Sequence, residues 1–413
     1  MSKSSCCQLN LEPILTDIAP PSIIKTAILP GQQAETLFLA TADGEISTVE
    51  ADSADWYQKR FLEIQDLVTE GGFHGLEFHP DFAENGRFFL HYSVRDSEGT
   101  PPYALLPDPD YPESLDQEWN DAESYHHYDT VEEWLLPETG IPICVRILLN
   151  IKWPFSNHTG MNTLTWTDGR LILSTGDGGS NYDPFNQAQK NTSLLGKIIA
   201  MNVDHRPWKF TKNPAPVSET NELDPIRREA IKIVAKGLQN PSGLEVDGPV
   251  KYLADMGQDE MEKIMTFTDW KKNFGWRAWD GIAPTRGHRG DVLYHGESLD
   301  LFDCDRPSAF YSHREVRPEL PIAPPQGIIG GCIYHGEKIP GLKGHYVFAD
   351  AGGDLFSIQG CDQDSIDRPQ VPCLLRPGKE DLILTGVGAN RRRTRLFVGG
   401  YDEGIGGLYE LVG

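Results

Sequence analysis

The chain is poor in positive charge: 37 Lys and Arg stand against 61 Asp and Glu over 413 residues, a formal net charge of −24. A surface of that sign repels nucleic acid and anionic lipid, which need basic stripes, so neither is expected as a partner. No run of about 18 apolar residues is present, which excludes a membrane-spanning helix. The opening MSKSSCCQLNLEPILTDIAPP holds one Lys and no continuous apolar stretch, so no export signal is visible. Seven cysteines include no C-x-x-C pair, which argues against a zinc site. The adjacent Cys6 and Cys7 are only a weak acylation signal. Cys361 and Cys373 flank the polar loop CDQDSIDRPQVPC and either close it as a disulfide or stay free thiols; the sequence leaves both open. G-x-S-x-G, a strand-to-helix G-x-G-x-x-G and the P-loop are all missing, which sets aside hydrolase, dinucleotide and nucleotide-phosphate chemistry.

Long amphipathic helices are missing as well, and strands take their place. A hydrophobic share of 39% with 24% charged residues suits a globular chain with a large core. Short apolar runs ending in Gly, Ala or Asp recur at 36–50, 87–96, 170–179, 250–264, 345–358 and 395–411. Six such units predict an all-β fold, a six-bladed β-propeller of four-stranded antiparallel blades with long inter-blade loops. Residues 1–34 form a segment that closes or precedes the propeller, and 35–413 form the single propeller. Two insertions interrupt it, at 97–140 and 205–230. The first is acidic and Pro-rich, and is expected as a surface excursion, a lid or a protein contact surface. Its His126-His127 pair, with Asp121, Glu123 and Asp129 nearby, is a possible metal set. A solvated loop is the better reading, because adjacent strand residues point to opposite faces.

One stretch concentrates chemistry. In NHTGMNTLTWTDGRLILSTGDGGSNYDPF (157–185), Asp168-Gly169 supplies the positive φ of a tight hairpin between two strands. Asn157-His158 precedes the first strand and GDGGSNYD follows the second, so both can meet at one mouth. The second loop is dense in oxygen but lacks EF-hand spacing, which makes it a secondary calcium candidate. Trp276, Trp279 and Tyr182 could stack on a flat ligand there, and packing is the favoured role for Trp276.

Several long motifs in order carry a resemblance: GGFHGLEFHPDFAENGRFFLHYS (71–93), NHTGMNTLTW with GDGGSNYDPFNQAQ (157–189), SLLGKIIAMNVD (193–204), GLQNPSGLEVDG (237–248), ADMGQDEMEKI (254–264) and NFGWRAWDG (273–281). From about residue 35 onward the chain resembles the glucose/sorbosone dehydrogenase family, which spans soluble quinoprotein sugar dehydrogenases and the propeller of hedgehog-interacting protein. The resemblance implies a six-bladed propeller with pyrroloquinoline quinone (PQQ) on its top face. There a His takes the proton of an aldose's anomeric hydroxyl while hydride passes to the quinone. By motif position that base is His158, with Gln239 and Asn240 beside it. Asn157, Gln239, Asn240, Lys379 and Arg391 are the expected cofactor contacts. A calcium ion (Ca2+) is expected on the backbone carbonyls of Gly257 and Gln258. Members of the family are mostly periplasmic or extracellular.

The pattern also breaks. Gln239-Asn240-Pro241 stands where the family usually has Arg-Asn-Pro, so a permanent charge aimed at the quinone is replaced by an amide. The quinone is a tricarboxylate, and the loops expected to hold it offer Asp350–Gly353 and Gly378-Lys379-Glu380, with Arg391, Arg392, Arg393 and Arg395 as possible substitutes. These departures support an alternative of another class, a cofactor-free propeller serving as a binding or structural module.

Overall fold

In a computed structural model the chain is described over residues 9–50, 56–69, 72–95, 127–258, 261–285, 304–312, 327–361, 369–375, 377 and 382–413, except for 211–212 and for the side chains of 209–210. Six sheets form a ring, a six-bladed β-propeller: five have four antiparallel strands, and the third adds to its four the short strand Lys272–Asn273, which pairs parallel with Ile231–Lys236. Each blade starts from an inner strand: Ile23–Ile28, Phe73–Phe78, Leu164–Thr167, Asn240–Asp247, Ile328–Tyr334 and Leu382–Ala389. Each of the six apolar runs read from the sequence falls on a different blade, at its second strand or its second and third.

The ring is closed by the two ends of the chain. Asn10–Thr16 pairs antiparallel with Ile405–Val412, from Asn10 opposite Val412 to Thr16 opposite Gly407, and so completes the sixth blade. Leu9 and Leu11 are buried in the same apolar cluster as Val398, Tyr409 and Leu411.

Crowding at the axis explains part of the sequence. The inner strands of the fourth and fifth blades approach so closely that a Cβ on Gly330 would stand 2.6 Å from the carbonyl oxygen of Ser242 and 2.9 Å from Cα of Gly243. Both positions have to be glycine for the two backbones to meet. The registers slip beside these residues, between Pro241 and Gly243 and between Ile329 and Cys332, where bulges bend the strands.

The insertions come out differently from each other. Residues 127–135, counted at sequence level within the acidic excursion, are the third strand of the second blade, paired with Arg87–Arg95 and with Ile143–Trp153. Tyr128, Thr130, Val131 and Trp134 are strand formers, a signal that the Pro-rich stretch before them obscures. His127 and Asp129 are consequently buried, not solvated, while His126 and residues 97–125 lie outside the described residues. The 205–230 insertion holds short helical turns and the helix Pro225–Ala230, whose N-terminal amides are capped by Asp224. Cys361 and Cys373 are free thiols.

Candidate functional site

Loops entering the inner strands lie on one face of the ring, and the hairpins leaving those strands lie on the other. His158 belongs to the entry loop of the third blade, ahead of Leu164–Thr167; Gln239 and Asn240 begin the inner strand of the fourth. The local backbone there is under unusual constraint. His158, Asn162, Ser180, Tyr182, Asp183 and Asn186 all take positive φ, between 46° and 62°, although none is glycine. Such conformations cost about 1 kcal/mol or more each and persist only where surroundings enforce them. Gly176 is one reason they can: a Cβ there would lie 1.7 Å from the carbonyl oxygen of His158 and 2.9 Å from that of Gln239. Its missing side chain lets three segments of backbone touch.

The His158 ring is oriented by Asp177. Its Nδ1 lies 2.8 Å from Asp177 Oδ1, which also accepts the Gly179 amide at 2.9 Å. Asp177 Oδ2 accepts the indole N–H of Trp276 at 2.7 Å. A carboxylate can only accept, so the ring proton sits on Nδ1 and the lone pair on Nε2. Burial alone would lower the His158 pKa, but Asp177, followed by Asp255 and Asp183, raises it above the ordinary value. The result is an imidazole with a fixed tautomer and an enhanced appetite for a proton at Nε2.

Asp255 ties the next blade to this pair. Its carboxylate accepts the backbone amides of Gln239 at 3.2 Å and Asn240 at 2.8 Å. The side chain of Asn240 accepts the Gly160 amide at 3.0 Å, two residues from His158. Gln239 donates from Nε2 to Gln258 Oε1 at 3.1 Å, and Gln258 in turn donates to Asn181 at 3.1 Å. Asn157 accepts the Ser180 amide at 3.0 Å. His158, Asn157, Gln239, Asn240 and Gln258 are therefore brought into one bonded network, with Gly257 in the same loop.

Behind Gln239 stands a lysine that the sequence reading passed over. Lys263, 5% exposed, donates to the Met256 carbonyl at 3.0 Å, to Asp280 Oδ1 at 3.3 Å and to Gln239 Oε1 at 3.4 Å, with Asp255 Oδ2 at 3.6 Å. Burial would depress its pKa, but Asp255 and Asp280 raise it, so the ammonium stays charged. Burial in turn pushes the Asp255 carboxyl up to about 6, against the pull of Lys263 and two amides. The signal for this group was a charged pair, Glu262-Lys263, within the strand Met261–Phe267, whose other residues except Thr266 are apolar. For Asp177 it was the Gly-flanked position in GDGG.

The oxygens of the GDGGSNYD loop that are placed here accept from protein donors. Asp183 accepts the amides of Gln187 and Ala188, and its carbonyl accepts from Arg277 at 2.7 Å. Among the described residues no three His, Cys, Asp or Glu side chains are placed to hold one metal ion. Trp276 is buried, as packing requires, and is also the Asp177 donor.

Two expected contacts are not in this group. Arg391 lies in the hairpin that leaves the inner strand Leu382–Ala389, on the face opposite His158. The same hairpin's Arg393 bonds Asp247, at the far end of the strand that Asn240 begins. Strand polarity, which a list of basic residues does not convey, is the reason. Lys379 lies outside the described residues.

No family model matches the sequence. The HIPL1 protein of Arabidopsis thaliana is 30% identical over 335 residues, covering 71% of this chain and 45% of that protein. Mouse hedgehog-interacting protein is 20% identical over 237 residues, covering 54% and 30%. The chain thus spans less than half the length of these curated relatives. Among solved structures, the apo-form of the soluble aldose sugar dehydrogenase of Escherichia coli superposes with a TM-score of 0.63 at 15% identity, covering 98% of this chain and 99% of that one. The PQQ-bound aldose sugar dehydrogenase of Streptomyces coelicolor gives 0.58 at 18%, covering 99% of each. The likeness read from the motifs therefore holds on both sides: the fold is that of the soluble sugar dehydrogenases, and the sequence relatives are HIPL and hedgehog-interacting proteins.

Proposed function

We propose that the chain is a sugar-oxidising oxidoreductase of the quinoprotein type, with His158 as the base that takes the proton of an aldose hydroxyl. The observation that carries this reading is the His158–Asp177 pair. Asp177 holds the ring proton on Nδ1, leaves Nε2 to receive the substrate proton, and stabilises the imidazolium that forms. Positioned bases of this kind contribute roughly 10²–10⁴ in rate. The amides fixed by Asp255 and the carboxamides of Gln239 and Asn240 are the polar groups that would orient a hydroxylated ligand.

PQQ, the cofactor the resemblance implies, would accept the hydride when bound. His158 and its neighbours fit that chemistry, but the cations tied into the group do not fit three carboxylates. Lys263 and Arg277 are buried and already bonded, and Arg391 is on the other face. This mismatch favours the second reading, a propeller that binds a partner without oxidising anything, in which the acidic insertion 97–140 is the contact surface.

Titration of the purified protein with PQQ, followed by aldose-dependent reduction of an artificial acceptor, separates the two. Oxidation lost in His158→Ala supports the enzyme. Failure to bind quinone at high micromolar concentration removes it and leaves the binding module.

A further inference from the structure

The Lys263 ammonium sits in a cage of oxygen: the Met256 carbonyl, Gln239 Oε1 and two carboxylates, Asp255 and Asp280, all between 3.0 and 3.6 Å. Backbone carbonyl, amide oxygen and paired carboxylates are the donor set of a hard cation such as calcium. The cage adjoins the loop on which calcium is expected. Met256 precedes Gly257, and a Cβ on Gly257 would lie 2.9 Å from Asp280 Oδ1, one of the oxygens that Lys263 holds. The face of the Trp276 ring lies 5.7 Å away on another side.

We propose that Lys263 is a built-in cation that takes the place of a metal ion here, so that the Gly257–Gln258 loop is complete without calcium. Two physical points carry this. The carboxylates that would give a divalent ion its affinity both face the ammonium, which neutralises part of their field. A second cation a few ångströms away would meet direct repulsion in a region that excludes water, where charges are weakly screened. The ammonium also fixes Gln239: with Oε1 turned to Lys263, the amide can only point Nε2 toward Gln258 and the loop. The inference concerns binding and stability, and it holds or fails whether or not the chain oxidises sugars.

The test exchanges the internal cation for an external one. In wild type, calcium chloride and a chelator should give the same melting temperature, with magnesium chloride at equal ionic strength as control. Lys263→Ala opens the cage and should melt lower, and calcium or methylammonium should recover part of the loss. Calorimetry should show calcium binding at least about tenfold tighter to Lys263→Ala than to wild type, about 1.4 kcal/mol. If that variant does not fold, Lys263→Met keeps the packing of the stem and is titrated in its place. Calcium bound by wild type and lost in Asp280→Asn would overturn the proposal. It would equally fail if removing Lys263 created no affinity for either cation.

Discussion

His158 Nδ1 and Asp177 Oδ1 are 2.8 Å apart, and the same carboxylate is held from its other side by the indole of Trp276 at 2.7 Å. The pair joins the loop before the third inner strand to the loop after the next strand, so the base is fixed by two separate backbone segments.

Asp177→Asn should keep the fold and lose the tautomer. A carboxamide can present its N–H to the ring and place the proton on the wrong nitrogen. Any sugar oxidation is expected to fall by two to four orders of magnitude, as for other bases deprived of their orienting carboxylate. The His158 pKa should fall too, because its nearest raising charge is lost and burial is then opposed only by Asp255 and Asp183. Imidazole titration by NMR reads this even in the absence of turnover. An unchanged pKa would remove Asp177 from the role.

Gly176→Ala should disturb the site and the fold together. Its Cβ would meet the His158 carbonyl oxygen at 1.7 Å, and backbone cannot move aside as a flexible side chain can. A loss of stability of about 1–3 kcal/mol is expected, within the usual range for overpacking. Thermal melting combined with quinone or sugar titration would show both effects, and a neutral variant would mean the loops are looser than described.

Acid should act through His74. It is buried in the second blade, hydrogen-bonded to Ser93 at 2.8 Å, and burial pushes its pKa from 6.5 down to about 3. The unfolded chain therefore binds a proton that the folded chain refuses. Stability from this group is complete above pH 6.5 and is lost as pH falls from 6.5 toward 3, by an amount on the order of a few kcal/mol. Asp183 and Asp255, both raised to about 6, work in the opposite sense over part of that window. The clean comparison is thus between wild type and His74→Leu, whose stability should fall less steeply over the same range in denaturant titrations. Parallel slopes would show that His74 is not a neutral buried group.

Removing residues 1–16 should open the sixth blade. The strand Ile405–Val412 would lose its outer partner, and the cluster containing Val398 and Leu411 would lose Leu9 and Leu11. An exposed strand edge invites pairing between chains, so a lower melting temperature with higher-order species in size-exclusion chromatography is expected.

The propeller was legible because its repeating unit leaves a local mark. Alternating or apolar strands ending in Gly or Asp recur once per blade, and Asp168 and Gly169 take the positive φ, 53° and 69°, that the hairpin reading required. His158, Gln239 and Asn240 were legible through the motifs around them. Lys263, Asp255 and Asp280 were not, since a buried ion cluster is assembled from residues on different strands and loops and has no spacing of its own. Strand direction misled in another way: Arg391 is close in sequence to the last blade's entry loop, but one inner strand carries the chain to the opposite face. The strand 127–135 was hidden by composition, with acidic residues that look solvated in a list yet are buried, Glu133 against both Arg87 and Arg146.

The pairing of Asn10 with Val412 also bears on how the protein is made. The two strands are separated by roughly 400 residues, a separation that makes closure among the slowest contacts to form. Five blades can assemble in order as they leave the ribosome, each from contiguous chain. The sixth must wait for Ile405–Val412, and until then Asn10–Thr16 is an orphan strand with its apolar residues in water. Anything that shields that first strand during synthesis would raise the yield of closed rings.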